Sequence, residues 1–176
     1  MASPPDLREA MLAAWRTNNR VTLFLFEHLP RELWPATVPG APRRTIRMIA
    51  GHIHNARRMW IKTLGQPHGL PVPAAVDRLR VGARQLLPAL RQSGRGIAGL
   101  LELGFRHGGA IPPTRAYVWR NLPLDVAHVL GYFIAHEGHH RGQIVLVARA
   151  LGHRLPGEVT AGLWQWSQRA AEAGTG

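Results

Sequence analysis

Cysteine is absent from this chain of 176 residues, which removes disulfides and thiolate metal ligands together. Lysine is nearly absent as well: of 22 basic residues only Lys62 is lysine, and the rest are arginine. Acidic residues number ten, so the formal net charge is +12. Strand signals are scarce, with no convincing apolar/polar alternation and no Asn-Gly or Asp-Gly hairpin turn. Long apolar runs are missing too. The best, Val21 to Glu27, falls well short of the roughly 20 residues that cross a bilayer, so no membrane partner is expected. The opening MASPPDLREAM lacks the basic-then-apolar form of a secretory signal, and the cytoplasm is the expected compartment.

The arginines are scattered, in pairs at most (Arg43-Arg44, Arg57-Arg58). That dispersion reads as a solvated basic surface. The competing reading, a nucleic-acid binder, would gather its arginines on one face and bind with a steep salt dependence. Length and a hydrophobic content of 45% fit one domain over residues 1–176 with a real core.

Helical periodicity is common. A first helix is expected from Pro5 to Leu29, with Pro4-Pro5 at its start and Pro30 as its stop. Leu7, Met11, Trp15, Val21, Leu25 and Leu29 would line its buried side, with a phase shift near Asn18-Asn19. Pro30 to Arg44 carries four prolines and reads as a loop. A second helix is expected from Thr45, as its cap, to Leu64, ended by Gly65 and Pro67. A third runs from Ala74 to Leu103 on a ridge of Leu79, Leu86, Leu90, Ile97 and Leu101, where Pro88 and three glycines favour a kink. A fourth runs from Pro123 to Leu151, and a short last helix covers Gly157 to Ala171. The expected fold is all-α, a four-helix bundle with a short additional C-terminal helix. Bundles place metal sites on the inward faces of facing helices.

Ten histidines make the metal question pressing, because histidine is the commonest side-chain ligand. The densest chemistry is AHEGHHRGQI, Ala135 to Ile144. His136 and His140 are four residues apart, so on a helix they share one face. They sit between Tyr132-Phe133 and Ile144-Val145, which turns that face inward, where unpaired histidines would be costly. Two imidazoles at this spacing suit zinc, nickel or iron(II). His139 points about a quarter-turn away. The stretch also matches the zinc-protease pattern H-E-x-x-H, with Glu137 as general base. The downstream positions of that pattern are filled by Gln143 and Leu146, and no strand to hold a peptide is visible. A third ligand must come from elsewhere. His52, on the face of Ile49, Ala56 and Trp60, is the best candidate, although on the residues alone it reads equally as a satisfied core histidine. His128, on the row His128–Tyr132–His136, is expected to be a pocket or core residue. Glu137, His139, Arg141 and Gln143 are candidates to hold an imidazole N–H or a substrate group, with helix–helix contacts as the plainer role of Arg141 and Gln143.

Three stretches resemble the DinB family of metalloenzymes with DinB/YfiT-like four-helix bundles: IAGHIHNARRMW at Ile49–Trp60, VAHVLGYFIAHEGHHRGQI at Val126–Ile144, and LWQW at Leu163–Trp166. The resemblance implies a bundle with a divalent transition metal, zinc or nickel, held by His52, His136 and His140. His54, two residues on, leaves the register on the second helix slightly ambiguous. The resemblance also implies a homodimer, and related subfamilies include thiol-dependent transferases or isomerases. Three protein ligands leave a coordination position open, as in catalytic zinc sites, and without cysteine any thiol must arrive with a small molecule. The leading expectation is therefore a metal-dependent enzyme acting on a small-molecule substrate, such as a low-molecular-weight thiol. The second is a non-catalytic metal-binding or stress-response protein with a structural site. The third is the nucleic-acid binder.

Overall fold

The computed structural model describes residues 6–118 and 120–174. The expected helix start at Pro4-Pro5 lies outside the described residues. Helix α1 spans Leu7–Glu27, capped by Asp6, whose carboxylate accepts from the backbone of Arg8 and Glu9. Helix α2 spans Ile46–Trp60, capped by Thr45 Oγ1, which accepts from the Met48 N–H at 3.3 Å. It runs on through a wider π turn, Ile61–Gly65. Helix α3 spans Ala83–Arg106 and α4 spans Val126–Ala150. Two short helices follow, α5 at Gly157–Gly162 and α6 at Trp166–Ala173. About 65% of the chain is helical, and the fold is all-α and bundle-like. Around the bundle the order is α1–α3–α2–α4, with α4 closing onto α1 and α6 lying along α1. No helix is long and apolar enough among the described residues to cross a membrane.

Several boundaries differ from the sequence expectation. Helix α3 begins at Ala83 rather than Ala74, because the preceding stretch is fastened in extended form: Asn55 on α2 donates to the Val76 carbonyl and accepts from its N–H, both at 3.0 Å. Leu79 therefore leaves the ridge and is 68% exposed, and Leu7, at the first turn of α1, is also exposed. Pro88 does not interrupt α3. The last helix is divided at Leu163–Gln165. The segment read as a loop holds a small antiparallel hairpin, β1 (Thr37–Val38) and β2 (Ala41–Thr45), with Thr37 opposite Thr45 and Val38 opposite Ala41. Its turn is Pro39-Gly40, with Gly40 at φ +74°. Proline and then a positive-φ glycine are what a type II turn demands.

Two apolar clusters fill the bundle. One gathers Leu25, Phe26, Ile49, Leu86 and Ile144, and the other Trp15, Trp60, Ile97, Leu101 and Phe133. A polar knot lies among the same helices. Glu137 on α4 is 0% exposed and Arg57 on α2 is 1% exposed. Arg57 Nε donates to Glu137 Oε1 at 2.6 Å and Nη2 to Oε2 at 2.8 Å. Arg57 Nη1 also reaches Asn19 Oδ1 on α1 and the Leu90 carbonyl on α3. Asn18 and Thr22 of α1 donate to Glu137 Oε2 at 3.0 and 2.8 Å, and Arg141 Nη1 donates to Thr22 Oγ1 at 2.7 Å. Asn18, buried, and Asn19, half-buried, are thus the physical content of the phase shift in α1: their polar side chains turn toward this carboxylate and guanidinium, which need partners.

Removing one partner of a buried charge pair leaves the other uncompensated. Glu137→Ala is expected to cost about 3–5 kcal/mol in urea unfolding, because Arg57 and Arg141 would stay buried without a counter-charge. A cost below about 1 kcal/mol would mean that water or a shifted helix takes over the role of the carboxylate.

Candidate metal centre

The spacing of four residues on α4 and the facing position on α2 bring His136, His140 and His52 together. Their nearest ring nitrogens all lie within 4.8 Å of one another. His52 Nε2 is 3.2 Å from His136 Nε2. Two imidazole nitrogens on one tetrahedral zinc ion, each at about 2.0–2.1 Å, stand roughly 3.3 Å apart. The His140 ring meets those of His52 and His136 edge-on, with centroids at 4.7 and 4.6 Å. The donor set is all imidazole, and the three side chains together could hold a metal ion.

The neighbours of the cluster orient it. Gln143 Oε1 accepts from His140 Nδ1 at 2.8 Å. That bond places the proton on Nδ1 and leaves the Nε2 lone pair for a metal, the usual way in which an outer contact sets a ligand's tautomer. The same Gln143 oxygen accepts from Arg44 at 3.3 Å, and its amide nitrogen donates to His139 Nε2 at 2.9 Å. Tyr132 stacks on His136, with planes 19° apart, and Trp60 closes on Tyr132 from the edge.

Charge is managed on both sides of α4. Burial, then the neighbouring histidines, then Arg78 and Arg44 push His52 down to about 4. Burial and His140 push His136 down to about 4. Burial also lowers His140, against the pull of Gln143. The three rings are therefore neutral at pH 7, the form that binds metal. Burial alone would raise the Glu137 carboxyl, but Arg57, Arg141 and Thr22 together hold it below the usual carboxylate range.

Of the residues named from sequence, His52, His136 and His140 converge, with Gln143 and His139 beside them. Glu137 points away from the cluster into the Arg57 knot, so the protease-like general-base role fails on geometry. Arg141 joins that knot and serves the helix–helix contact. His128 is not a pocket residue: its side chain is 63% exposed and pairs with Asp125 at 2.6 Å in the first turn of α4. The row through Tyr132 and His136 turns outward as it approaches the helix start. His54 is buried and fully engaged by Ser93 Oγ and the Ala74 carbonyl, at 3.1 and 2.8 Å, which resolves the register on α2 in favour of His52. The residues missed from sequence are Arg57, Arg44 and Arg78. Arg57 was signalled by its place in the apolar stripe Ile53–Arg57–Trp60, whereas nothing local marks the other two.

The fold and this cluster define a helical-bundle protein with a three-histidine group able to hold a metal ion. A model of the DinB family matches residues 114–171, about a third of the chain and the part that carries His136 and His140, and it supports assignment of the chain to the DinB family. No curated protein matches the chain.

His52 and His136 bind protons more weakly in the folded chain than in the unfolded one, where the ordinary value is 6.5. Unfolding therefore takes up protons between about pH 6.5 and about pH 4, and stability falls as pH falls through that window. Urea midpoints of chelator-treated protein should decline across it. The decline should be shallower in His136→Phe, and an unchanged slope in that variant would place the titrating groups elsewhere.

Proposed function

We propose that the chain is a metal-dependent enzyme acting on a small molecule, with His52, His136 and His140 as its metal ligands. The observation that carries this reading is the convergence of three neutral imidazoles from two helices at metal-ligand spacing, with His140 held in the ligating tautomer by Gln143. A zinc or nickel ion bound there would supply Lewis-acid polarisation at a coordination position that the protein leaves open. The residues around it orient and exclude. Gln143 fixes the His140 ring, Tyr132 and Trp60 wall off one side, and the Arg57–Glu137 knot keeps α2 and α4 in register behind the rings. The chain has no cysteine, so a thiol nucleophile would have to come with a small molecule. A low-molecular-weight thiol brought in as co-substrate suits this arrangement.

Metal analysis of purified protein should give about one equivalent per chain, with near-complete loss in His52→Ala and in His140→Ala. Full retention in both variants would end the three-histidine assignment, and retention in His52→Ala alone would move the third ligand elsewhere. Gln143→Leu should keep the metal but weaken its affinity about 10–100-fold in competition with a chelator, the usual cost of losing such an outer contact.

A further inference from the structure

With ten acids for 22 basic residues, where the acids go decides where positive charge is left over. Along α1, α3 and α6 they are spent on local arginines. Glu27 pairs with Arg20 and Arg91, Glu102 with Arg8 and Arg106, and Glu172 with Arg20 and Arg169. The positive charge of the wide groove between α1 and α3 is thereby partly offset, with three glutamates lining it beside five arginines. The pocket of about 510 Å³ that opens onto His52 is different. Arg43, Arg44 and Arg78 line it, and no acidic residue does. Asp77, beside Arg78 in sequence, is directed to Arg80 and the Leu79 N–H instead. Arg44 reaches only the neutral Gln143, and none of the three has a carboxylate partner among the described residues.

Two local devices bring these arginines to His52 from outside the bundle. The Pro39-Gly40 turn returns β2 toward the start of α2, which puts Arg43 and Arg44 at the rim. Gly51, next to His52, lets the extended stretch before α3 lie against α2: a Cβ there would stand 3.2 Å from Arg78 Cγ and 3.3 Å from Arg78 Cα. The remaining walls, Ala41, Pro42 and Met48, are apolar. Pockets of roughly 300–1,000 Å³ with apolar walls and a few convergent polar groups are of the size that holds small ligands.

We propose that this pocket is the substrate pocket of the three-histidine site and that its substrate is a small organic anion: an apolar body ending in a carboxylate or phosphate group that the three arginines hold. The identification of the ligand as a substrate rests on the metal-enzyme reading above, whereas anion binding stands on the arginines themselves. Guanidinium forks suit both head groups, because they donate in pairs to planar or tetrahedral oxyanions. Met48 and Pro42 cover the apolar body. The anionic end anchored at the rim leaves the other end directed toward His52.

The test is calorimetric titration of the full-length protein, as purified and after chelation, with benzoate, phenyl phosphate and the neutral benzyl alcohol, with metal content measured on the same samples. Benzoate or phenyl phosphate should bind, the stronger of the two naming the head group, and benzyl alcohol should bind at least tenfold more weakly. Arg78→Gln, which touches none of the bonds that orient the histidines, should retain metal and weaken the preferred anion about tenfold, as expected for one charge-assisted contact. Arg43→Gln combined with Arg78→Gln should weaken it further, and Arg95→Gln in the α1–α3 groove should change nothing. Anion affinity unchanged in the double variant, or equal binding of benzyl alcohol, would overturn the proposal. Metal bound with no anion binding would refute this inference alone. Anion binding in a protein that takes up no metal would uphold the pocket and refute the metal-enzyme reading.

Discussion

A carboxylate with no exposure to solvent is expensive to keep ionised, by several kcal/mol even after the protein relaxes around it. Glu137 is kept so by Arg57 in a two-pronged pair, by Arg141 one turn along, and by the amide and hydroxyl of Asn18 and Thr22. Each of the four long helices contributes an atom to that knot. Its value lies less in net stability, since buried ion pairs rarely outdo well-packed apolar residues, than in admitting one alignment of the helices. A slip of α2 against α4 by one residue would part the Arg57 guanidinium from the Glu137 carboxylate and leave both buried. That constraint is transmitted directly to the histidines. Glu137 follows His136 in sequence, and Arg57 lies about a turn and a half beyond His52, so the bond between the charges and the approach of the rings are two faces of the same contact.

The positive field around the cluster follows from the same economy of acids. Arg44 and Arg78 help to keep His52 neutral, the form in which an imidazole can bind a metal, but the same charges would oppose a cation in the site. An anion entering the pocket would screen them. Metal affinity and anion affinity are therefore expected to reinforce each other, with the coupling equal in both directions.

Much of this was legible in the sequence. The four long helices follow from apolar periodicity and from their punctuation, Asp6, Thr45, Gly65 and Pro67 among them. The spacing of His136 and His140 needs only the geometry of one helix. His52 was harder, because the residues alone could not separate a ligand from a core histidine, and only the position of α2 against α4 brings its ring within 3.2 Å of His136. The hairpin was missed because its turn is Pro39-Gly40 rather than Asn-Gly or Asp-Gly, and its strands are too short and exposed to show alternation. His128 departs from its periodic row because, at the helix start, Asp125 draws it outward. The late start of α3 was illegible for a different reason: its cause, Asn55, belongs to another helix.

The hairpin has one further consequence. Arg43 and Arg44 sit on a short ribbon that takes almost no part in the two apolar clusters, whereas the histidines are embedded among residues that those clusters and the Glu137 knot hold rigid. Mutation is thus tolerated unequally across a single site. Residues 39–44 carry few of the contacts that hold the bundle, while the three histidine rings cannot move without disturbing it. Lineages that inherit this scaffold would be free to diversify the rim while keeping the histidine cluster, with the ribbon as the evolvable part.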